Sequence, residues 1–492
     1  MAIDLDLIAR LKDPKLVREA AYVAGEWVDA AGRPTFAVEN PATGKTLAHV
    51  PELGRDAWTT AVDAAHASQK PWAARTAKER AAVLRRFYDL IIANIDDLAT
   101  ILTAEQGKPL AEARGEVLYG ASYVEWYAEE AKRLYGDVIP GHQADKRLVV
   151  IRQPVGVVAG ITAWNFPSAM PLRKMAPALA AGCTMVFRPA AQTPLSAIAL
   201  AALAERAGVP AGTLSVITTE DAAGFGQEVC HNDKVRKLTF TGSTGVGRLL
   251  MRQGADRILK LSLELGGNAP FIVFDDADID AAVEGAMLSK FRNAGQTCVC
   301  ANRIYVQSGV YDQFAEKMKE RVASLRVGDG LVQGTEIGPL IDERAVAKVE
   351  CHISDAVEKG AKVAVGGKRL DVGSRFFAPT LLTNVQRSML IAQEETFGPL
   401  APLFSFDTVD QVISLANDTE FGLASYFYSR DIQRVWRVAE ALEYGMVGIN
   451  TGVISTEVAP FGGVKQSGFG REGSKYGLND FTEIKYLCMG GI

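Results

Sequence analysis

Between residues 76 and 98 the apolar positions Val83, Leu84, Phe87, Leu90, Ile91, Ile95 and Leu98 recur every three to four residues. Thr76 and Glu79 ahead of them form a capping-box signature, so the spacing predicts one amphipathic helix starting there. Before it, "AAYVAGEWVDA" (20–30) reads as a short β entry. From about residue 148 the pattern changes to short apolar runs, "VGVVAGI" (155–161), "TMVF" (184–187), "LSVI" (214–217) and "KLTF" (237–240), separated by helical stretches. Runs apolar on both faces that alternate with helices predict a parallel sheet covered on both sides. Thr193 followed by Pro194 predicts a helix start between two of them. A second cycle follows "LELGG" (263–267): a strand at "PFIVF" (270–274), a helix from about Asp278 to Asn293, and a strand at "NRIYV" (302–306). The tail is Gly-rich over 445–473, and "YGLNDFTEIKYLCMGG" ends in an alternating segment suited to pairing with another subunit's sheet edge. The expected fold class is α/β, with two doubly wound parallel-sheet lobes and a boundary near residue 262.

Composition narrows the function classes. The 492 residues exceed the roughly 250–300 that one hydrophobic core sustains, which agrees with two lobes. Hydrophobic residues at 48% and charged residues at 23% match a soluble globular enzyme. A net charge of −5 without a basic stripe argues against nucleic acid as a partner. The start "MAIDLDLIAR" lacks a positive segment and apolar run, and no apolar stretch approaches the ~20 residues of a membrane span. Six dispersed cysteines suit a reducing, cytoplasmic setting.

Two of those cysteines, Cys298 and Cys300 in "GQTCVCANR" (295–303), invite a chemical reading. The five histidines, His49, His66, His142, His231 and His352, show no zinc-ligand spacing, so no metal site is expected. A disulfide between Cys298 and Cys300 would close a very small, strained ring. Cys298, after a helix and the polar "NAGQT", is therefore either an activated thiol or a small core residue. The other four are read as packed, inert thiols. "GSTGVG" (242–247), between a strand and a helix, is either a pyrophosphate cradle or a plain turn.

The segments "WNFP" (164–167), "FTGSTGVG" (240–247), "LELGGNAP" (263–270), "GQTCVCANR" (295–303), "EETFGPL" (394–400) and "PFGGVKQSGFGREG" (460–473) resemble, in order, the aldehyde dehydrogenase superfamily. "KFRNAGQTCVCANR" and "YGLNDFTEIKY" bring the chain nearest to its succinate-semialdehyde and glutarate-semialdehyde branch. The resemblance implies a dinucleotide-binding domain of residues 1–126 and 148–261, a catalytic domain of 262–474 and a small β oligomerisation element of 127–147 and 475–492, in a homodimer or homotetramer. It implies Cys298 as nucleophile, Asn165 with the Cys298 N–H as donors to the oxyanion, and Glu264 as general base. Thr162, Trp164, Arg188, Ala191, Gly242, Ser243, Gly266, Glu395 and Phe397 would bind the nicotinamide dinucleotide, with Lys174 near the same region. Arg188 stands where the family usually has lysine, and Ala191 where NAD-preferring relatives often have glutamate, so NADP is favoured and NAD remains usable. An arginine at a strand end is otherwise a surface ion pair.

Arg173, Arg292 and Ser455 match the residues that grip the far carboxylate of a semialdehyde, against the alternative of structural salt bridges. The implied reaction is oxidation of an ω-carboxylated aldehyde, succinate semialdehyde foremost. Glutarate semialdehyde, 2-oxoglutarate semialdehyde and an aromatic aldehyde are rivals; a cysteine-dependent esterase or an inactive structural relative is the reading from another class. Cys300 would be the partner of Cys298 in a reversible, inactivating disulfide, or else a packed neighbour.

Overall fold

The four apolar runs of the first half become the parallel centre of an eight-stranded sheet in the computed structural model, which describes residues 3–491. Across the sheet the strands are Glu26–Asp29, Ala20–Val23, Leu214–Val216, Thr184–Arg188, Val157–Ile161, Val235–Thr241, Lys260–Glu264 and Gly468–Phe469. Contacts among the five middle strands are parallel, and the outer ones at both ends are antiparallel. A second sheet orders Lys362–Val365, Thr380–Thr383, Leu400–Phe406, Ala301–Gln307, Ala269–Val273, Ala424–Tyr428 and Met446–Ile449. Only its Lys362–Val365 edge is antiparallel. Val157–Ile161, Thr184–Arg188, Ala269–Val273 and Ala424–Tyr428 are buried at every residue, as sheets with helices on both faces require. The fold is thus a two-lobed α/β architecture. Its two sheets are joined directly through Leu265–Asn268, which carries the chain from the end of Lys260–Glu264 to the start of Ala269–Val273.

A third, antiparallel sheet of Asp137–Ile139, Lys146–Pro154 and Thr482–Gly490 contains the alternating tail, in register from Thr482 opposite Pro154 to Gly490 opposite Lys146. Three strands cross the expected limits: Lys146–Pro154 spans residue 147, Lys260–Glu264 spans the boundary at 261–262, and Gly468–Phe469 leaves the second lobe's stretch to join the first sheet beside Leu263 and Glu264.

Local expectations fared unevenly. The Thr76 capping box is present, but the single helix is two, Ala77–Ala93 and Ile95–Gln106, because the Asn94 amide donates to the Leu90 carbonyl and leaves helical geometry. The helix after Pro194 runs Leu195–Arg206, yet Thr193 does not cap it; its hydroxyl turns to the Trp164 carbonyl. The cap is the buried carboxylate of Glu105, which accepts from Leu195 N and Ser196 N at 2.7 and 2.8 Å. Glu116 does the same for Ala169–Ala181, accepting from Ser168 N at 2.9 Å and Ala169 N at 3.2 Å, while its other oxygen binds Lys108 Nζ at 2.5 Å. Both partners of that ion pair are 1% exposed. Removing one partner strands a buried charge, so Glu116→Ala should destabilise the fold by about 3–5 kcal/mol, read as a lowered urea midpoint.

Candidate active site

The helix Ile279–Phe291 ends in a turn in which Asn293, Ala294 and Gly295 all take left-handed φ values of 53°, 54° and 75°. Two non-glycine residues in that region are strained, so surrounding contacts must hold them. The Asn293 amide donates to the Asn165 carbonyl (2.9 Å) and the Gln296 carbonyl (3.2 Å), and its oxygen accepts from Gln106 Nε2 (3.0 Å). The Gln296 side chain accepts from Ile341 N at 3.0 Å. Glycine is required at 295, where a Cβ would run into the Gly398 carbonyl. The turn delivers Cys298 half-buried into an interlobe cleft of ≈ 280 Å³. The Cys298 N–H has no partner among the described residues.

Asn165 stands beside it. One N–H of its amide donates to the Gln296 carbonyl at 2.9 Å, leaving the second for a ligand. Glu264, the last residue of its strand, is buried with Oε2 unpartnered. Burial first, then the charge of Glu472, hold its carboxyl well above the usual range, against the pull of Arg173, Lys174 and Arg471. Burial likewise pushes the Cys298 thiol up to about 12; Arg173 pulls it down while Glu395 and Glu264 oppose. Cys298 both lines the cleft and packs against the second lobe's core, and its thiol is raised where an activated one would be lowered.

Trp164, Gly242, Ser243, Gly266, Glu395 and Phe397 line the same cleft. Phe397, at φ 58°, meets Trp164 edge to face at 5.6 Å. Glu395 accepts from Gly267 N at 3.2 Å, and burial raises its carboxyl to about 7. Ser243 caps the helix Thr244–Ala255 through Val246 N, and a Cβ at Gly242 would strike the Phe240 ring. Thr162 is buried with its hydroxyl unpartnered. Arg188 and Ala191 line a separate cavity of ≈ 520 Å³. Arg188 is no surface ion pair: it is buried, donates from Nη2 to the Thr219 carbonyl at 2.9 Å, and keeps Nε unpartnered. A helix N-terminus facing the cleft, a close-approach glycine, and orphaned polar atoms at Thr162 and Arg188 fit a dinucleotide.

The structure brings Arg292 and Ser455 together with Val299 and Tyr426 around a small cavity. Arg292 lies 5.4 Å from the Phe166 ring centroid and has no salt bridge among the described residues. Arg173 is placed differently. Its Nη2 lies 2.5 Å from Glu472, which also binds Lys174 Nζ at 2.5 Å, and its guanidinium covers the Phe461 ring at 3.9 Å; Nε is unpartnered. Glu472 escaped the sequence reading although it lies inside "GREG", because only its partners carried a recognisable role. Cys300 is buried, its thiol facing the Lys290 carbonyl at 3.3 Å, and both cysteines are free. Among the described residues no cluster of His, Cys, Asp and Glu could hold a metal ion.

The sequence model described as "Aldehyde dehydrogenase family" matches residues 27–487. The glutarate-semialdehyde dehydrogenase of Pseudomonas aeruginosa is 64% identical over 483 residues, 98% of this chain and 100% of that protein. The NADP⁺ succinate-semialdehyde dehydrogenase of Escherichia coli is 63% identical over 98% of this chain and 100% of its own. The crystal structure of an aldehyde dehydrogenase from Brucella melitensis biovar abortus superposes with a TM-score of 0.97 at 63% identity, covering 98% of this chain and 99% of that one.

With its thiol raised to about 12, Cys298 of the cofactor-free protein should react slowly with iodoacetamide at pH 7 and faster with every increment of pH up to 10. Peptide mass spectrometry of Cys298 over that range checks this; a rate that levels off below pH 8 would contradict it.

Proposed function

Because the chain belongs to the aldehyde dehydrogenase family, we propose that it oxidises an ω-carboxylated aldehyde, succinate semialdehyde foremost, to the dicarboxylate with NADP⁺, through a thioester on Cys298. The observation that carries this reading is the unpartnered Cys298 N–H, set beside the Asn165 amide and the buried Glu264, with Arg292 and Ser455 in one nearby cavity.

The Cys298 thiol gives its proton to cleft water as the sulfur adds to the aldehyde carbon, and the carbonyl π electrons become an alkoxide. The Cys298 N–H and the free N–H of Asn165 receive that oxyanion; one such donor is worth roughly 10²–10³ in rate. The nicotinamide, when bound, supplies the two-electron acceptor for the C–H bond. Trp164, Glu395 and Phe397 would hold it there, and Ser243 and Gly242 would cradle the phosphates. The acyl group then sits on sulfur. Glu264 takes a proton from water, which attacks the thioester carbon; the C–S bond breaks, and the acid leaves with Cys298 restored. A guanidinium with a free Nε at Arg188 and no carboxylate at Ala191 support NADP⁺ over NAD⁺, which stays usable.

Arg292, with no ion-pair partner among the described residues, and Ser455 would bind the substrate's far carboxylate, while Arg173, expected to share that role, is paired with Glu472 instead. The Pseudomonas aeruginosa relative, equally similar and named for glutarate semialdehyde, favours a second reading in which the substrate is one carbon longer. The exposed Val138, Ile484, Tyr486 and Met489 of the third sheet support a homodimer or homotetramer. Six free thiols support a reducing, cytoplasmic setting; among the described residues no helix is long and apolar enough to cross a membrane.

Succinate semialdehyde with NADP⁺ should raise absorbance at 340 nm, and Cys298→Ser should abolish the rise. Ester hydrolysis without cofactor, and no rise, would favour the hydrolase reading. Glu264→Gln should lower kcat by roughly 10²–10⁴ and leave an acyl adduct on the Cys298 peptide. Since burial raises the Glu264 carboxyl above the usual carboxylate range, its base form grows with pH, so thioester hydrolysis followed by single-turnover kinetics should speed up as pH rises and slow on acidification at a higher pH than an ordinary glutamate would give. Arg292→Leu should raise KM for succinate semialdehyde by roughly 10–100-fold, the worth of a charge-assisted contact, and leave KM for butanal little changed.

A further inference from the structure

The segment 394–398 presents Glu395 and Phe397 to the cleft, and one helix grips it from behind. Along Glu343–Glu358, Lys348 and His352 lie one turn apart and Asp355 just beyond. Lys348 Nζ donates to the Glu395 carbonyl at 2.5 Å. The His352 ring contacts the side chains on either side of that residue, Thr396 Oγ1 through Nδ1 at 3.1 Å and Glu394 Oε2 through Nε2 at 3.4 Å. Asp355 accepts from Leu390 N at 2.7 Å, where the segment's approach begins. Val349 of the same helix fills the space in front of Gly398, leaving no room for a Cβ there.

We infer that His352 is a positioning residue for the cofactor: by bridging Glu394 and Thr396 it fixes the direction in which Glu395 and Phe397 face the nicotinamide ribose. The ring is 1% exposed and never touches the cleft itself. Burial lowers its pKa, so it is neutral, with Nε2–H donating to Glu394 and Nδ1 accepting from the Thr396 hydroxyl. A neutral imidazole makes both contacts at once. Phe397 holds a left-handed backbone that nothing local favours, and the strained residue therefore depends on a fixed neighbour. The inference rests on the reading above that Glu395 and Phe397 hold the nicotinamide half of the cofactor.

The test is calorimetric titration of the intact protein with NADP⁺ and with 2′,5′-ADP, which lacks the nicotinamide ribose. His352→Phe keeps ring volume without the hydrogen bonds and should raise Kd for NADP⁺ roughly three- to tenfold, the scale of buried hydrogen bonds lost, with 2′,5′-ADP unchanged. His352→Gln, whose amide donates and accepts, should recover most of the loss. Wild-type NADP⁺ affinity in His352→Phe, parallel weakening of both ligands, or no recovery in His352→Gln would overturn the inference. Glu395→Gln separates it from its premise: if that variant binds NADP⁺ normally while His352→Phe does not, the assignment of Glu395 is at fault; the opposite pattern condemns only the role of His352.

Discussion

Three segments distant in sequence meet at one atom, the backbone carbonyl oxygen of Asn165. It accepts from Lys108 Nζ at 2.8 Å and from the Asn293 amide at 2.9 Å, while the Asn165 side chain donates to Gln296. Lys108 can be buried there only because Glu116 neutralises it, and Glu116 is itself fixed by the N-terminus of Ala169–Ala181, the helix that carries Arg173 and Lys174. A cation, an amide and a helix end thus stabilise a left-handed turn that would otherwise relax. Without that carbonyl as a common acceptor, the Asn165 donor and the Cys298 turn would have no fixed relation.

Electrostatics around the sulfur show which effect wins. Arg173 and Arg292 favour a thiolate, yet desolvation outweighs both, helped by the carboxyls of Glu395 and Glu264. The same burial keeps Glu264 neutral beyond the usual range, with Glu472 adding to it. Glu472 in turn stays ionised, its carboxyl held down by Arg173 and Lys174 despite its own burial. Two carboxyls in one buried site are therefore driven apart in acidity, one as a permanent counter-ion and the other as a base that acquires its charge late. This division suits the base role proposed for Glu264, which would serve water after the acyl group has formed.

Much of the fold was legible because parallel strands covered on both faces are forced to be apolar throughout, and those runs stand out in the sequence. The candidate site's residues stood out through their motifs, since Cys298, Asn165 and Glu264 sit in segments whose residue order is distinctive, and the fold brings Cys298 and Asn165 to one cleft. What stayed hidden was non-local. No periodicity shows that Glu105 rather than Thr193 caps Leu195–Arg206, or that Asn94 breaks a helix whose apolar spacing runs straight through it. The motif match for Arg173 carries no sign of its ion-pair partner. That its guanidinium lies against Glu472 depends on a contact between residues 173 and 472, which only the folded chain brings together.

The two halves of the cleft are also bound sterically. Gly267, in the crossing between sheets, has no room for a Cβ because the Cys298 carbonyl stands there, and Gly295 has none because of the Gly398 carbonyl. Backbone therefore approaches backbone at two points: where the crossing after the Glu264 strand passes Cys298, and where the Cys298 turn passes the Glu395 segment. Close-packed contacts of this kind do not yield gradually, since relief of one overlap displaces the partner by the same amount. A shift of the Glu395 segment would press on Gly295, the last of the three left-handed residues, and through Gln296 and Thr297 on Cys298. Sulfur, base and the segment facing the nicotinamide ribose consequently form one mechanical unit. Its precision comes from glycines with no side chain to contribute, placed where the separation is smallest.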